Sequence, residues 1–550
     1  MEQTNDQWLW FVDNDLIEAL ARTDTLDSKS EKRPVQSNAI ANALTLNMEG
    51  KTEEALREVR AAIEGGESLP ELYWIKGHLE YQLGNYDSAL SDYQTVLASF
   101  PNHKAALYSV ALCQEKLERF DEAAEGFRKV SEMDPKLAEA HVGAAVCELY
   151  RNHPDQALAG FEEALKAKPG HEKALYGKAV ALQLVGRREE AMQMYVKLLP
   201  ITGPNPDLLT NLVRLEIAAG EDAKARDHAE KLLKVRPGSP VALEGLVAGA
   251  LARGDYKAAV QSGTQLVKIA ADSYEAWFNL GVAYHKTNRL EQATHAYSQA
   301  IKLKPDQEMA YVNLGITLQE RGEWAEARGA YERALQNAPS HSNALWNLSI
   351  VLERLGSFAD AEKTVETYLE AQPENEDAWF RLGYFRLVRG DNEGSIDPFR
   401  NAIAKRPDWL EALLNLGLAQ WRAGDKDSAK AAFVQAVASQ PESLEALRSL
   451  AALAVDMGDE GLAIDIESKL DEQGEREPEL AYNIGVLLQR SNRLEEAARS
   501  YRRATEAKPD FGEAMLNLGH TLKAMGQEQE AKSYWRRALE AKPELAAQYF

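Results

Sequence analysis

Small, apolar and polar positions recur along this chain with a period of 34 residues. One small position holds alanine in fourteen of fifteen cycles, and a second position, twelve residues earlier, is also mostly small. Small residues let two helices pack closely. Between the two positions lie polar turns that contain glycine, such as Gly322 and Gly424. Because glycine readily ends a helix, each cycle is predicted to contain two helices joined by a short turn.

Proline marks the end of most cycles. Consecutive prolines of this series are 34 or 68 residues apart, and they are Pro101, Pro135, Pro169, Pro237, Pro305, Pro339, Pro373, Pro407, Pro441, Pro509 and Pro543. A fixed period of this length is typical of a helical solenoid. We therefore predict an all-α chain of about fifteen helix-turn-helix repeats, from about residue 36 to about residue 545.

The best-marked cycle identifies a family that the repeats resemble. Residues 276–284 read Ala-Trp-Phe-Asn-Leu-Gly-Val-Ala-Tyr, and Ala293, Tyr297, Ala300 and Pro305 follow in phase. This motif resembles the tetratricopeptide repeat. The resemblance implies a right-handed superhelix with a concave groove that is lined by the first helix of each hairpin.

Two interruptions guide the predicted domain organisation. Pro200, Pro204 and Pro206 are expected to end the preceding helix early, and they leave two interpretations: a bend between two sub-stacks or one loosely packed joint. We divide the chain into residues 1–35, repeats 1–5 (36–205), repeats 6–15 (206–545) and a C-terminal stub (546–550). A further proline, Pro398, is expected to kink a second helix.

Residues 1–35 lie outside the repeats and combine an amphipathic stretch with a polar linker. The stretch carries Trp8, Trp10 and Phe11, a large apolar load for a short segment. One interpretation is a cap on the first repeat. The alternative is a self-docking segment that enters the groove of its own chain or of a second copy.

Composition limits the class of partner. The chain has 63 Lys and Arg against 86 Asp and Glu, a net charge of −23, which argues against nucleic-acid binding. Its two cysteines, Cys113 and Cys147, form neither a disulfide framework nor a zinc site, and they occupy the same position of neighbouring repeats. No apolar stretch is long enough for membrane insertion, and no signal peptide is recognisable, so we expect a cytoplasmic protein.

An asparagine recurs two residues before the small position of the first helix. This ladder consists of Asn211, Asn279, Asn313, Asn347, Asn415, Asn483 and Asn517. Carboxamides both donate and accept hydrogen bonds, so a ladder can hold the backbone of an extended peptide. The repeats also resemble those of the O-linked N-acetylglucosamine transferases, in which such asparagines hold substrate chains, although we expect no catalytic transferase domain in this sequence. The alternative is that Asn-Leu-Gly is simply common in this repeat type.

Aromatic residues cluster on the same predicted face. Phe278, Trp346 and Phe380 directly precede ladder positions, and Tyr384 and Trp421 follow further along their helices. They are candidate anchors for apolar side chains of a partner in the peptide-binding groove. The alternative for each ring is ordinary packing between helices.

The sequence contains no motif for catalysis, for a cofactor or for a metal. We therefore predict a non-catalytic scaffold or adaptor that binds a protein or an extended peptide. Two alternatives stay open. One is a self-assembling scaffold, a homo-oligomer that forms through the N-terminal helix or the C-terminal end. The other is a targeting subunit of a separate enzyme.

Overall fold

A computed structural model describes residues 37–546 of the chain. This range contains thirty α-helices and no strand, and we number consecutive pairs of helices as hairpins 1 to 15. The first helices of hairpins 1 to 15 are Asn38–Met48, Pro70–Gln82, Lys104–Lys116, Ala138–Tyr150, Glu172–Leu184, Pro206–Ala218, Pro240–Ala252, Tyr274–Lys286, Glu308–Glu320, Ser342–Arg354, Glu376–Val388, Leu410–Arg422, Leu444–Met457, Pro478–Arg490 and Gly512–Ala524. The second helices are Thr52–Glu64, Tyr86–Ser99, Phe120–Met133, Pro154–Ala167, Arg188–Thr202, Asp222–Val235, Tyr256–Ile269, Leu290–Leu303, Trp324–Asn337, Phe358–Ala371, Asn392–Lys405, Lys426–Ser439, Glu460–Glu472, Leu494–Ala507 and Glu528–Ala541, and a 3₁₀ turn, Pro543–Leu545, follows the last of them. The predicted all-α solenoid of about fifteen repeats is confirmed.

Residue-specific caps set the ends of these helices. Asn375 accepts a hydrogen bond from the backbone N–H of Ala378 at 2.9 Å, and His341 accepts one from Ala344 at 3.2 Å. Both bonds satisfy a backbone donor that the first turn of a helix leaves unpaired. At the other end, Gly424 has a φ of 90°, a left-handed conformation that suits glycine. The local sequence therefore determines where each hairpin turns.

The two small positions are small because a neighbouring group fills the space. The alanines of the second helices, such as Ala361 and Ala429, are fully buried. A Cβ atom added to Gly417 in a first helix would lie 2.5 Å from the ring of Phe433 in the second helix of that hairpin. In the same way, a Cβ atom added to Gly315 would lie 2.6 Å from the ring of Tyr331. Each ring thus packs directly against the backbone of the opposite helix.

Within each of the two units, clusters of buried side chains extend over neighbouring hairpins. One cluster of buried side chains runs from Val142 to Leu215 through hairpins 4 to 6, and another runs from Val312 to Phe385 through hairpins 9 to 11. A single hairpin would leave one apolar side exposed, so stacking supplies most of the stability.

The expectation that the prolines near residue 203 end a helix early is wrong. Pro200 lies inside the second helix of hairpin 5, which continues to Thr202 and is followed by Gly203 with a φ of 69°. Pro200 leaves the carbonyl of Val196 without its usual helical partner, but Val196 is exposed, so water can satisfy that carbonyl. Leu199 packs against the core clusters on both sides of this joint.

Pro398 lies inside the second helix of hairpin 11, and its missing N–H leaves the carbonyl of Gly394 without its usual helical partner. Arg386, from the first helix of the same hairpin, donates from Nη1 to the Gly394 oxygen at 3.0 Å. The guanidinium is held by Glu362 at 3.0 Å and Glu366 at 2.6 Å, both from hairpin 10. A side chain from the other helix of the hairpin therefore replaces the bond that the proline removes.

Contacts within the chain define two compact units, Met1–Thr287 and Asn288–Phe550. The domain boundaries that we derived from the sequence stay predictions, and Trp8, Trp10 and Phe11 lie outside the described residues. Cys113 and Cys147 are buried and form no disulfide. None of the helices in residues 37–546 is both long and apolar enough to cross a membrane.

Candidate functional site

One surface of the first helices carries the ladder. We count positions in each repeat from residue 36 in steps of 34 residues, so that the ladder is position 6. Positions 2, 6, 9 and 13 are three or four residues apart and share one side of an α-helix. We call this surface the first-helix face. The rings at position 5 lie beside it.

Two members of the ladder form hydrogen bonds with other hairpins of the protein. Asn211 is buried and donates from Nδ2 to the hydroxyl groups of Tyr176 at 3.1 Å and Tyr195 at 3.3 Å. Asn517 donates to the hydroxyl of Tyr482 at 3.1 Å. In both cases the tyrosine belongs to the preceding hairpin. These two carboxamides join neighbouring hairpins, so their contribution to the site differs from that of the other five.

The other ladder carboxamides keep more of their hydrogen-bonding capacity. Asn347 and Asn415 each donate from Nδ2 to the backbone carbonyl four residues earlier, at 2.9 Å. Among residues 37–546, the carboxamides of Asn279, Asn313 and Asn483 form no hydrogen bond. Asn279 belongs to the first unit and the other four belong to the second. The second unit therefore places Asn313, Asn347 and Asn415 at one position of hairpins 9, 10 and 12.

The aromatic residues at position 5 pack mainly within their own hairpins. The Phe380 ring lies 5.8 Å from that of Phe399 and 4.5 Å from that of Trp409, between ring centroids. Trp346 lies 5.4 Å from Tyr368, and Phe278 stacks on a ring of its own helix. All three are half-buried, so each presents only one edge to a partner.

Tyr384 and Trp421 are the two aromatic candidates at later positions. Tyr384 is half-buried at position 9. Trp421 is at position 12 and donates from Nε1 to Asp456 of the next hairpin at 2.8 Å. Hydrogen bonds from Lys426 and from Trp421 lower the pKa of that carboxyl. Trp421 thus links two hairpins.

Hairpin 11 interrupts the ladder with an arginine. Arg381 lies over the Trp346 ring at 5.4 Å and pairs with Glu353 of hairpin 10 at 2.7 Å. Its charge is therefore balanced inside the protein. Position 9 also carries Ile316, Ile350 and Leu418, apolar residues that the 34-residue period places in line with Tyr384.

The first unit holds a carboxyl group in an unusual state. Glu115, at position 12 of hairpin 3, is 5% exposed, and among the described residues its Oε2 atom has no hydrogen-bond partner. Burial raises the pKa of this carboxyl to about 7, against the opposing effect of Lys116 and Lys173. Burial penalises the charged form of a carboxyl group. Glu115 therefore favours the folded state only when it is protonated.

We expect Glu115→Gln to stabilise the chain at alkaline pH. A raised folded-state pKa means that the stability Glu115 contributes is complete below its unfolded pKa and is lost as the pH rises towards 7. The variant should therefore match the parent near pH 4 and exceed its unfolding free energy by about 3 kcal/mol at pH 8, because one pKa unit corresponds to about 1.4 kcal/mol. Urea unfolding at both pH values measures this difference. The exposed Glu125→Gln serves as the control, and an equal gain at both pH values would contradict the assignment.

Family models for the tetratricopeptide repeat match most of the chain. The matches cover residues 76–138, 142–206, 351–408 and 414–478 with one model, 306–374 with a second, 274–307 with a third, and 478–511 and 512–545 with a fourth. A comparison with curated proteins found no match.

Several solved structures are similar in part. YrrB, described as "a TPR protein with an unusual peptide-binding site", is 20% identical over 34% of this chain and 98% of its own, with a TM-score of 0.32. The APC/C hetero-tetramer Cut9-Hcn1 is 14% identical over 89% of this chain and 97% of its own, with a TM-score of 0.29. MamA from Desulfovibrio magneticus RS-1 is 18% identical over 31% of this chain and 97% of its own, with a TM-score of 0.28. At these scores the likenesses add nothing to the family assignment, which rests on the model matches and on the fifteen hairpins: this chain belongs to the tetratricopeptide repeat family.

Proposed function

We propose that this chain is a non-catalytic adaptor that binds an extended segment of a partner protein. The segment lies along the first-helix face of hairpins 9 to 13, residues 308–472. One observation carries the proposal: Asn313, Asn347 and Asn415 occupy the same position of their hairpins, and within residues 37–546 their side chains form no hydrogen bond with another hairpin.

Carboxamides at this position suit a peptide backbone. A backbone alternates N–H donors and C=O acceptors, and a carboxamide can bind one of each. Neighbouring packed helices lie about 8–10 Å apart. An extended peptide advances about 3.3 Å per residue. One ladder step therefore corresponds to about three peptide residues.

Arg381 divides the ladder into two parts. Because its guanidinium is held by Trp346 and Glu353, it offers no carboxamide to a peptide. A bound segment is therefore expected to contact Asn313 and Asn347, to pass Arg381, and to contact Asn415. About nine peptide residues span this distance at three residues per hairpin.

The test is to change Asn313, Asn347 and Asn415 together to alanine. A twelve-residue peptide selected from a random library on the parent protein supplies the probe, and fluorescence anisotropy measures its Kd. We expect at least tenfold weaker binding, because each lost hydrogen bond costs about 0.5–1.5 kcal/mol and tenfold is about 1.4 kcal/mol. Alanine is a strong helix former, so the helices should persist, and circular dichroism verifies this.

A control removes carboxamides from the second helices of hairpins 9 and 11. Gln336 and Asn401 are exposed on second helices, and their change to alanine should leave the Kd within twofold. Unchanged affinity in the ladder variant would reject the proposal. The alternative of self-assembly through the N-terminal helix stays a prediction that light scattering over a range of concentrations can test.

A further inference from the structure

The surroundings of the ladder suggest the chemistry of the bound segment. Resting on the function proposed above, we propose that the segment carries apolar side chains along one edge and basic side chains along the other, in alternation. The basic side chains lie over hairpins 11 to 13. The inference rests on two rows of side chains that flank the ladder.

The geometry of a helix places these rows on opposite sides of the ladder. An α-helix rises 1.5 Å per residue, so position 2 lies about 6 Å before position 6 along the axis, and position 9 lies about 4.5 Å beyond it. All three positions share one side of the helix. In consecutive hairpins of the second unit, position 2 therefore forms one row, the ladder a second and position 9 a third.

The row at position 2 is acidic in hairpins 11, 12 and 13. Its members Asp377, Glu411 and Glu445 are exposed, and none of them forms an ion pair with another residue in the described range 37–546. We call these three residues the acidic row. Three carboxylates in register give this edge of the face an unbalanced negative charge.

Hairpins 14 and 15 show how the same position is neutralised elsewhere. Glu479 pairs with Lys508 at 3.0 Å, and Glu513 pairs with Lys542; both lysines occupy position 31 of the same repeat. Hairpins 12 and 13 have Gln440 and Gly474 at position 31. The acidic row therefore lacks the internal lysine that balances it in later hairpins.

In hairpin 11 the basic residue at position 31 is engaged by other groups. Arg406 pairs with Glu376 at 3.6 Å and lies over the Trp409 ring at 4.4 Å. Asp377 is therefore left for a cation from outside the protein. Opposite charges that meet at an interface attract a partner and fix its register.

The row at position 9 is apolar in hairpins 9 to 12. Its members Ile316, Ile350, Tyr384 and Leu418 are half-buried, so each keeps part of its side chain at the surface. We call these four residues the apolar row. Apolar side chains of a partner gain about 25 cal/mol for each Å² of surface that they bury against such a row.

The alternating side chains of an extended peptide match these two rows. Successive side chains of an extended chain point to opposite sides. A backbone that follows the ladder therefore directs alternate side chains towards the acidic row and towards the apolar row. Lysine or arginine on one edge of the peptide then pairs with the acidic row, and valine, leucine or isoleucine on the other edge packs on the apolar row.

Synthetic twelve-residue peptides can test this pattern by fluorescence anisotropy on the full chain. The first alternates lysine and valine. In the second and third, glutamate or serine replaces lysine, and a fourth has the composition of the first with its lysines and valines in two blocks. We expect the alternating lysine peptide to bind at least tenfold more tightly than the glutamate and block peptides. Its affinity should fall with added salt, because screening weakens exposed charge pairs.

A triple variant, Asp377→Asn, Glu411→Gln and Glu445→Gln, tests the acidic row directly. It should raise the Kd of the lysine peptide at least fivefold and leave the Kd of the serine peptide unchanged. The control neutralises three exposed acids of second helices, Glu326→Gln, Glu370→Gln and Asp427→Asn, and so makes the same change in net charge. The control should leave both affinities unchanged.

The outcomes separate this inference from the function on which it rests. Equal binding of the lysine, serine and glutamate peptides, with all three weakened by the ladder variant, would overturn the inference and leave the adaptor function standing. Equal losses in the acidic-row variant and in its control would also overturn it. If the ladder variant leaves every affinity unchanged, the adaptor function fails, and with it the alternating pattern.

Discussion

Replacing Gly417 with valine is expected to disrupt hairpin 12, whereas replacing Gly329 with alanine is expected to stabilise hairpin 9. A Cβ atom at Gly417 would lie 2.5 Å from the buried ring of Phe433, so a branched side chain cannot fit unless the two helices separate. Overpacking of this kind costs about 1–3 kcal/mol, and more when backbone must move. We therefore expect Gly417→Val to lower the free energy of unfolding by about 3 kcal/mol.

Gly329 provides a control of opposite sign. It lies within a second helix, and a Cβ atom there would meet nothing within 4 Å. Alanine should therefore stabilise that helix by about 0.5–1 kcal/mol. Because hairpins of a solenoid unfold in part independently, hydrogen exchange of residues 410–439 and 324–337 is the suitable measurement. Equal protection in the two variants would contradict this account of the small positions.

Arg386→Met is expected to destabilise hairpins 10 and 11 by about 2–3 kcal/mol, because it removes hydrogen bonds between charged groups in a half-buried network. The substitution removes the only described side-chain donor to the Gly394 carbonyl and two bonds to Glu362 and Glu366. The loss should be smaller in a chain that carries Pro398→Ala, because alanine restores the backbone N–H that bonds Gly394.

A double-mutant cycle measures this coupling. Urea unfolding of the parent, the two single variants and the double variant should give an interaction energy of about 1–2 kcal/mol, the range for one buried hydrogen bond. Arg400→Met is the control, because Arg400 lies on the helix that contains Pro398 but pairs only with the exposed Asp397 among the described residues. Strict additivity of Arg386→Met and Pro398→Ala would show that the guanidinium does not replace the missing bond.

The sequence alone determined the repeat and its hairpins. Alanine at one position and a small residue twelve positions earlier required two closely packed helices, and the glycines and prolines located the turns. These are local requirements, so a period of 34 residues was enough to predict them. The ladder residues, the aromatic residues and the position of Pro398 were also visible from the same period.

Only the tertiary structure decided which of these groups are engaged by other hairpins. Asn211 and Asn347 look alike in the sequence, but tyrosine hydroxyls of the preceding hairpin hold Asn211, whereas Asn347 bonds only its own helix. Likewise, the carboxylates that hold Arg386 belong to the preceding hairpin, and burial leaves Glu115 Oε2 without a hydrogen-bond partner among the described residues. A repeat pattern determines where a side chain lies on its helix. The contacts of that side chain depend on which residue the neighbouring hairpin places opposite it, and packing sets that pairing.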